Sequence, residues 1–140
     1  MTAFVRPTAW RGLTLGALSL TLALSQAVAA RQTGKTVNDG VYTAAQAERG
    51  EKVFAETCTA CHDPERFTGA EFVGNWQGQP LQALFAMVNT MPEDNPGSLK
   101  PEQYADVMAY FLKLNDYPAG KTELPSSADA LKGIGMVARK

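Results

Sequence analysis

The chain has 140 residues, 45% of them apolar and 19% charged, which suits one modest core and is too short for two. That balance excludes an intrinsically disordered chain. The 13 basic and 14 acidic side chains leave a formal charge of -1, which excludes a nucleic-acid binder that works by neutralising phosphates.

Residues 1–30 read as an address rather than as structure. Arg6 and Arg11 form a positive n-region, the run from Leu13 to Leu24 is apolar, and Ala27-Val28-Ala29 places small residues around a cleavage point after Ala29 or Ala30. An uncleaved membrane anchor is the alternative, but a spanning helix needs about 20 apolar residues and this run is shorter. Residues 1–30 hold no acid, so losing Arg6 and Arg11 takes 13 basic side chains to 11 against 14 acidic, a balance of -3. The mature chain is therefore expected in the periplasm, and no later stretch is long and apolar enough to give it a membrane span. Residues 31–41 read as a linker, 42–116 as the folded domain and 117–140 as a C-terminal tail.

The first helix is expected over residues 43–57. Thr43 and Gln46 have the spacing of a capping box, and Gly50, Val53 and Phe54 fall on one face. The helix runs into Cys58-Thr59-Ala60-Cys61-His62, a string that holds both cysteines and the single histidine of the chain. This is the covalent haem attachment pattern. On one helical turn, residues three and four apart share a face, so two thiols can meet the two vinyl groups of a porphyrin. The histidine that follows then sets its imidazole over the iron. Two other readings use the same residues. A thioredoxin-like pair would want a strand–helix–strand setting, and the surrounding sequence shows no convincing alternating strand. A zinc site would want about four ligands, where two Cys and one His are on offer.

Beyond the motif, a middle helix is expected from Pro80 to about Thr90, with Leu81, Leu84, Phe85 and Val88 at i, i+3, i+4 and i+7. The last helix starts at Pro101. It carries the stripe Tyr104, Val107, Met108, Phe111 and Leu112, and ends at Asn115 and Pro118. The fold class is all-α: three to four helices wrapped around one haem.

With one histidine, the second axial ligand cannot be another imidazole of the same chain. Met87, Met91, Met108 and Met136 are the candidates. Met108 lies on the core stripe, Met87 inside the middle helix, and Met136 in a Gly-rich tail without a packing pattern. Met91 follows the middle helix and precedes Pro92, which stops the helix and presents the side chain from a loop. Met91 is the expected ligand; the alternative for any methionine is filling a gap in the core.

From about residue 42 to 115 the chain resembles class I c-type cytochromes, single-haem electron carriers with His/Met ligation. The resemblance rests on Cys58, Cys61 and His62, on Thr90-Met91-Pro92, on Gly50 and Phe54, and on Tyr110 in Ala109-Tyr110-Phe111-Leu112. It implies thioethers at Cys58 and Cys61, iron ligation by His62 and Met91, and a crossing of the first and last helices where Gly50 lets the backbones approach and Tyr110 packs. The chain departs from the family in two ways. No Gly-Pro pair follows the motif to receive the proximal imidazole N–H, which leaves that partner unassigned. The interval from His62 to Met91 is also short, and within it Phe72 and Trp76 are expected to line the haem, Trp76 as a propionate donor or as packing alone.

A narrower resemblance runs through Thr90–Leu99, Pro101–Val107 and Asn115–Gly120 to cytochromes found alongside periplasmic quinoprotein alcohol dehydrogenases. The chain is expected to be an electron-transfer protein, not an enzyme, and to work as a monomer. Its donor would be a quinoprotein dehydrogenase and its acceptor a terminal oxidase or another cytochrome. Two other functions stay open: a haem subunit of a larger dehydrogenase complex, and a haem sensor or peroxidase with a labile Met91. Glu93 and Asp94 beside Met91 are either a steering charge for a basic partner or a solvated loop.

Overall fold

Thr43 opens the first long element. Its backbone is extended, outside the helix, while its Oγ1 accepts the Gln46 N–H at 3.1 Å. The computed structural model describes residues 34–140, so the address read at residues 1–30 lies outside the described residues. Helix α1 runs over Ala44–Thr57. Gln46 does not close the reciprocal cap that its spacing suggests. Its Nε2 donates to the Leu124 carbonyl at 3.0 Å and its Oε1 accepts the Leu124 N–H at 2.7 Å. The reason is burial: Gln46 is 2% exposed, and an amide inside a core goes where both its donor and its acceptor find partners.

After the attachment motif, a 3-10 turn over Pro64–Phe67 leads into α2, Gly69–Trp76. Helix α3 covers Leu81–Val88 behind Pro80, with Leu81, Leu84 and Phe85 buried. Helix α4 covers Pro101–Leu114, and its whole predicted stripe is buried. Pro101 sits in the first turn, where a missing N–H leaves no bond unmade.

The largest interface between elements is that of α1 with α4. It is close because of Gly50: a Cβ there would fall inside the van der Waals shell of the Asp106 carbonyl, so only glycine lets these backbones touch. Phe54 fills the angle against Tyr110 and Phe111, with ring centroids 5.6 and 5.8 Å away. Arg49 grips the buried Asp106 through two bonds of 2.9 and 3.0 Å and reaches Glu123 of the tail at 2.9 Å. These carboxylates, Asp106 foremost, hold the guanidinium pKa above its ordinary value.

Residues 117–140 fold back over α1 and α3. The Tyr42 hydroxyl donates to the Tyr117 carbonyl at 2.7 Å, the Tyr117 hydroxyl to the Val137 carbonyl at 2.6 Å, and the Gly120 N–H to the Tyr42 carbonyl at 2.6 Å. A single turn of helix, α5 at Ala128–Leu131, starts at Ser127, whose Oγ accepts the Ala130 N–H. Two short strands follow from this return: β1 (Lys35–Thr36) pairs in parallel with β2 (Ile134–Gly135), Lys35 opposite Ile134. Met136, without a packing pattern in the sequence, is buried, and its N–H and carbonyl bond Gln79 and Gly78.

Gly34–Lys140 thus form one compact unit with five α-helices. The all-α expectation holds. Two short helices complete the set: α2 is unmarked in the sequence, while α5 falls within Ala128–Lys132, where the sequence suggests a short helical turn; each buries a single residue, Phe72 and Leu131.

Candidate functional site

Helix α1 delivers the attachment residues. The Cys58 N–H still bonds the Phe54 carbonyl at 2.8 Å; the chain then tightens, and the Cys61 and His62 N–H groups both bond the Cys58 carbonyl, at 3.2 and 2.9 Å. Bonds from three and four positions on wind the motif into one more turn, which gathers its side chains toward one space. Both thiols are free. Cys58 is half-buried, and burial pushes its thiol pKa up, while Cys61 is exposed.

The His62 ring is placed by aromatic packing. Phe67 meets it edge to face, centroids 5.6 Å apart at 84°, and stacks in turn on Phe111 of α4 at 4.3 Å. Asn115, at the end of α4, fixes this turn: its Nδ2 donates to the Phe67 and Phe111 carbonyls at 2.7 and 2.8 Å, and its Oδ1 accepts the Gly69 N–H at 2.9 Å. His62 Nδ1 is buried and has no hydrogen-bond partner among the described residues. Such an imidazole is oriented by its neighbours without being tied to a carbonyl.

Met91 comes from the opposite wall. Helix α3 ends at Val88; the Thr90 N–H then bonds the Met87 carbonyl and the Met91 N–H bonds the Val88 carbonyl, at 3.0 and 3.1 Å. The chain leaves the helix there and Met91, half-buried, stands at the head of the following loop. Tyr104 of α4 reaches it: its hydroxyl donates to the Met91 carbonyl at 2.7 Å and accepts the Leu99 N–H at 3.3 Å.

Two cavities lie between these walls. One, of about 360 Å³, is apolar and includes Phe54, Phe67, Phe72, Trp76 and Leu84 in its lining. The other, of about 510 Å³, opens between the attachment turn and residues 91–94 and takes in Cys61. Cys58, His62 and Met91 line both. The structure therefore brings Cys58, His62, Met91 and Trp76 around the first cavity and Cys58, Cys61, His62 and Met91 around the second. Glu93 and Asp94 stand at the mouth of the latter.

These residues fit a covalently held haem. Two free thiols three positions apart, an imidazole and a thioether line two neighbouring cavities, one of them with aromatic walls. Among the described residues no three His, Cys, Asp or Glu side chains converge to hold a metal ion on their own. The motif also follows a helix rather than a strand, unlike a thioredoxin pair.

Sequence reasoning missed three contributors. Met87, read as a residue of the middle helix, is 53% exposed and lines the apolar cavity. Its unpartnered position between Ala86 and Val88 on a short helix carried a faint signal. Phe67 gave none and Asn115 only that of a helix end, because their roles at the site depend on contacts between residues 48 positions apart.

Residues 45–111, a little under half of the chain, match the family model described as cytochrome c oxidase, cbb3-type, subunit III. The match supports a class I c-type cytochrome domain, and with the helical architecture it gives a small all-α cytochrome c fold. No curated protein and no solved structure gave a match.

Proposed function

We propose that this chain is a diffusible periplasmic electron carrier holding one haem c, with thioethers at Cys58 and Cys61 and iron ligated by His62 and Met91. The observation that carries the proposal is the convergence of Cys58, His62 and Met91, brought from two walls of the fold, on the linings of two neighbouring cavities.

When bound, the group would supply a one-electron ferric–ferrous couple, and a methionine ligand such as Met91 would raise its potential relative to two nitrogen ligands. Cys58 and Cys61 hold it by covalent bonds instead of by affinity. Phe67 keeps the His62 plane upright, and Phe72, Trp76 and Leu84 keep water from the apolar side. The half-buried Trp76 offers an indole N–H to a carboxylate. His62 and Met91 would hold the iron, and with both engaged the group would supply electron transfer alone, leaving further chemistry to partners. The resemblance around Thr90–Leu99 favours a quinoprotein dehydrogenase as donor, with a terminal oxidase or another cytochrome as acceptor. The matched family is named for an oxidase subunit, which supports a second reading: a haem subunit within a larger redox complex. Co-purification with a large partner would favour that second reading.

The deciding experiment is periplasmic expression with a working c-type maturation system, followed by intact mass and absorption spectra in both redox states. A mass gain of one haem, a near-infrared sulfur-to-iron band in the ferric protein, and no carbon monoxide binding on reduction are expected. Absence of the porphyrin adduct ends the proposal. Rapid, complete carbon monoxide binding would point instead to an open or labile iron site.

A further inference from the structure

We infer that Tyr104 is the positioning residue for the distal ligand: its hydroxyl latches the Met91 loop shut and so sets how readily the methionine sulfur leaves the iron. The inference rests on Met91 being the axial ligand.

The loop needs a fastening. After Val88 it has no regular structure until Pro101, and Glu93, Asp94, Asn95, Pro96, Gly97 and Ser98 are all exposed. Inside it only local turns form, Asn95 N–H to the Pro92 carbonyl at 3.1 Å and Ser98 N–H to the Asn95 carbonyl at 3.2 Å. Neither turn ties it to the rest of the protein. Tyr104 does, and at both ends. Its hydroxyl donates to the main chain of Met91 itself and accepts from the main chain of Leu99, so one oxygen closes residues 91–99 into a ring. The hydroxyl is well founded: Tyr104 is 1% exposed, sits on the longest-buried face of α4, and packs edge to face on Phe85 at 6.5 Å.

A hydrogen bond to the carbonyl of the ligand residue restrains its Cα, and with it the arc the side chain can sweep. Groups behind a ligating residue that fix its direction commonly alter how firmly it binds. An exogenous ligand can take the iron only in the state where the sulfur is off, so its apparent affinity reports the population of that state. Deleting the latch raises that population without touching the sulfur, the imidazole or the thioethers.

The test uses the ferric holoprotein with imidazole as probe. Tyr104→Phe keeps the ring and removes the oxygen. Tyr42→Phe is the matched control: it also removes a buried hydroxyl that donates to a main-chain carbonyl, that of Tyr117 at 2.7 Å, and Tyr42 lines neither cavity. Expected are about tenfold tighter imidazole binding in Tyr104→Phe and less than about twofold change in Tyr42→Phe. Equal effects in the two variants, or none in Tyr104→Phe, overturn the latch. Absence of the sulfur-to-iron band in the wild-type protein sinks the assignment of Met91, and the latch with it, before any variant is made. A second measurement needs no variant. Saturating imidazole should accelerate hydrogen exchange at the Leu99 amide of the wild type at least about tenfold while the Cys58 amide stays protected; an unchanged Leu99 amide overturns the latch independently.

Discussion

The same two helices, α1 and α4, face two different interiors. On the tail side the polar groups are matched within the chain: Gln46 with Leu124, Asp106 with Arg49, the Tyr42 and Tyr117 hydroxyls with the carbonyls of Tyr117 and Val137. On the other side Phe54, Cys58, Val107 and Phe111 look into a cavity of about 360 Å³, the His62 Nδ1 has no partner among the described residues, and Met87 is 53% exposed. One interior is packed by the chain's own C-terminal residues, with a cavity of about 660 Å³ at its edge between the segment around Gly40 and the tail. The other presents apolar and aromatic side chains to a cavity, a lining that fits the haem proposed above. On the function proposed above, folding and cofactor binding divide the work: the tail packs one face, and the haem would pack the other.

The largest expected effect breaks that division outright. In the double variant Cys58→Ala, Cys61→Ala the proposed covalent link cannot form, and the haem would not be held in that interior. A domain of this size is marginal even with a complete core, because small domains bury too little surface. The variant is expected to lose cooperative thermal unfolding altogether, monitored by near-ultraviolet circular dichroism. A haem-free variant that melts in one sharp transition would show that the tail-side core suffices alone.

A smaller effect tests whether the two interiors are mechanically one. Gly50 sits where α1 and α4 touch, between them. Gly50→Ala places a methyl group against the Asp106 backbone carbonyl, which has no side-chain freedom to yield. Better helix propensity recovers about 1 kcal/mol, so the net destabilisation is expected at about 2 kcal/mol after overpacking. Urea unfolding of the ferric holoprotein measures it. Because α4 carries Val107 and Phe111 into the cavity and Asp106 to the other side, the sulfur-to-iron band should weaken in the same variant.

The tail-side and haem-side interiors also differed in how much of them could be read from sequence. Helices α1, α3 and α4 carry apolar residues at helical spacing, and they form close to the expected bounds. The attachment string and the proline after Met91 are local signals, so the residues around the cavity could be named in advance. Helix α2 was not visible: with Gly69 and Gly74 in eight residues and only Phe72 buried, it has no stripe. The tail was less legible still. Met136 looked unpacked because its partners, Gly78 and Gln79, are far away in the chain, and its burial follows from main-chain pairing that leaves no pattern. Gln46 reads as half of a capping box because it lies three positions after Thr43, while a core 78 positions away decides where its amide goes. Short-range physics is written in the sequence, and long-range polar pairing is not.

The smallest of these effects sharpens the contrast by altering the closed interior alone. Gln46→Ala removes both partners of the Leu124 main chain in one step. A buried amide left without partners costs about 1–3 kcal/mol per group. Two terms reduce that figure. The space vacated is polar and large enough for water, which restores part of the bonding, and alanine is the better helix former at a position in the first turn of α1. The net loss is expected at about 1–2 kcal/mol by urea unfolding. What distinguishes this variant is what it leaves alone: Gln46 lines neither cavity, so the visible spectra, the sulfur-to-iron band and the imidazole affinity should match those of the wild type. If the band shifts while stability falls by this amount, strain passes from the tail through α1 to the axial ligands, and the two interiors are a single coupled one.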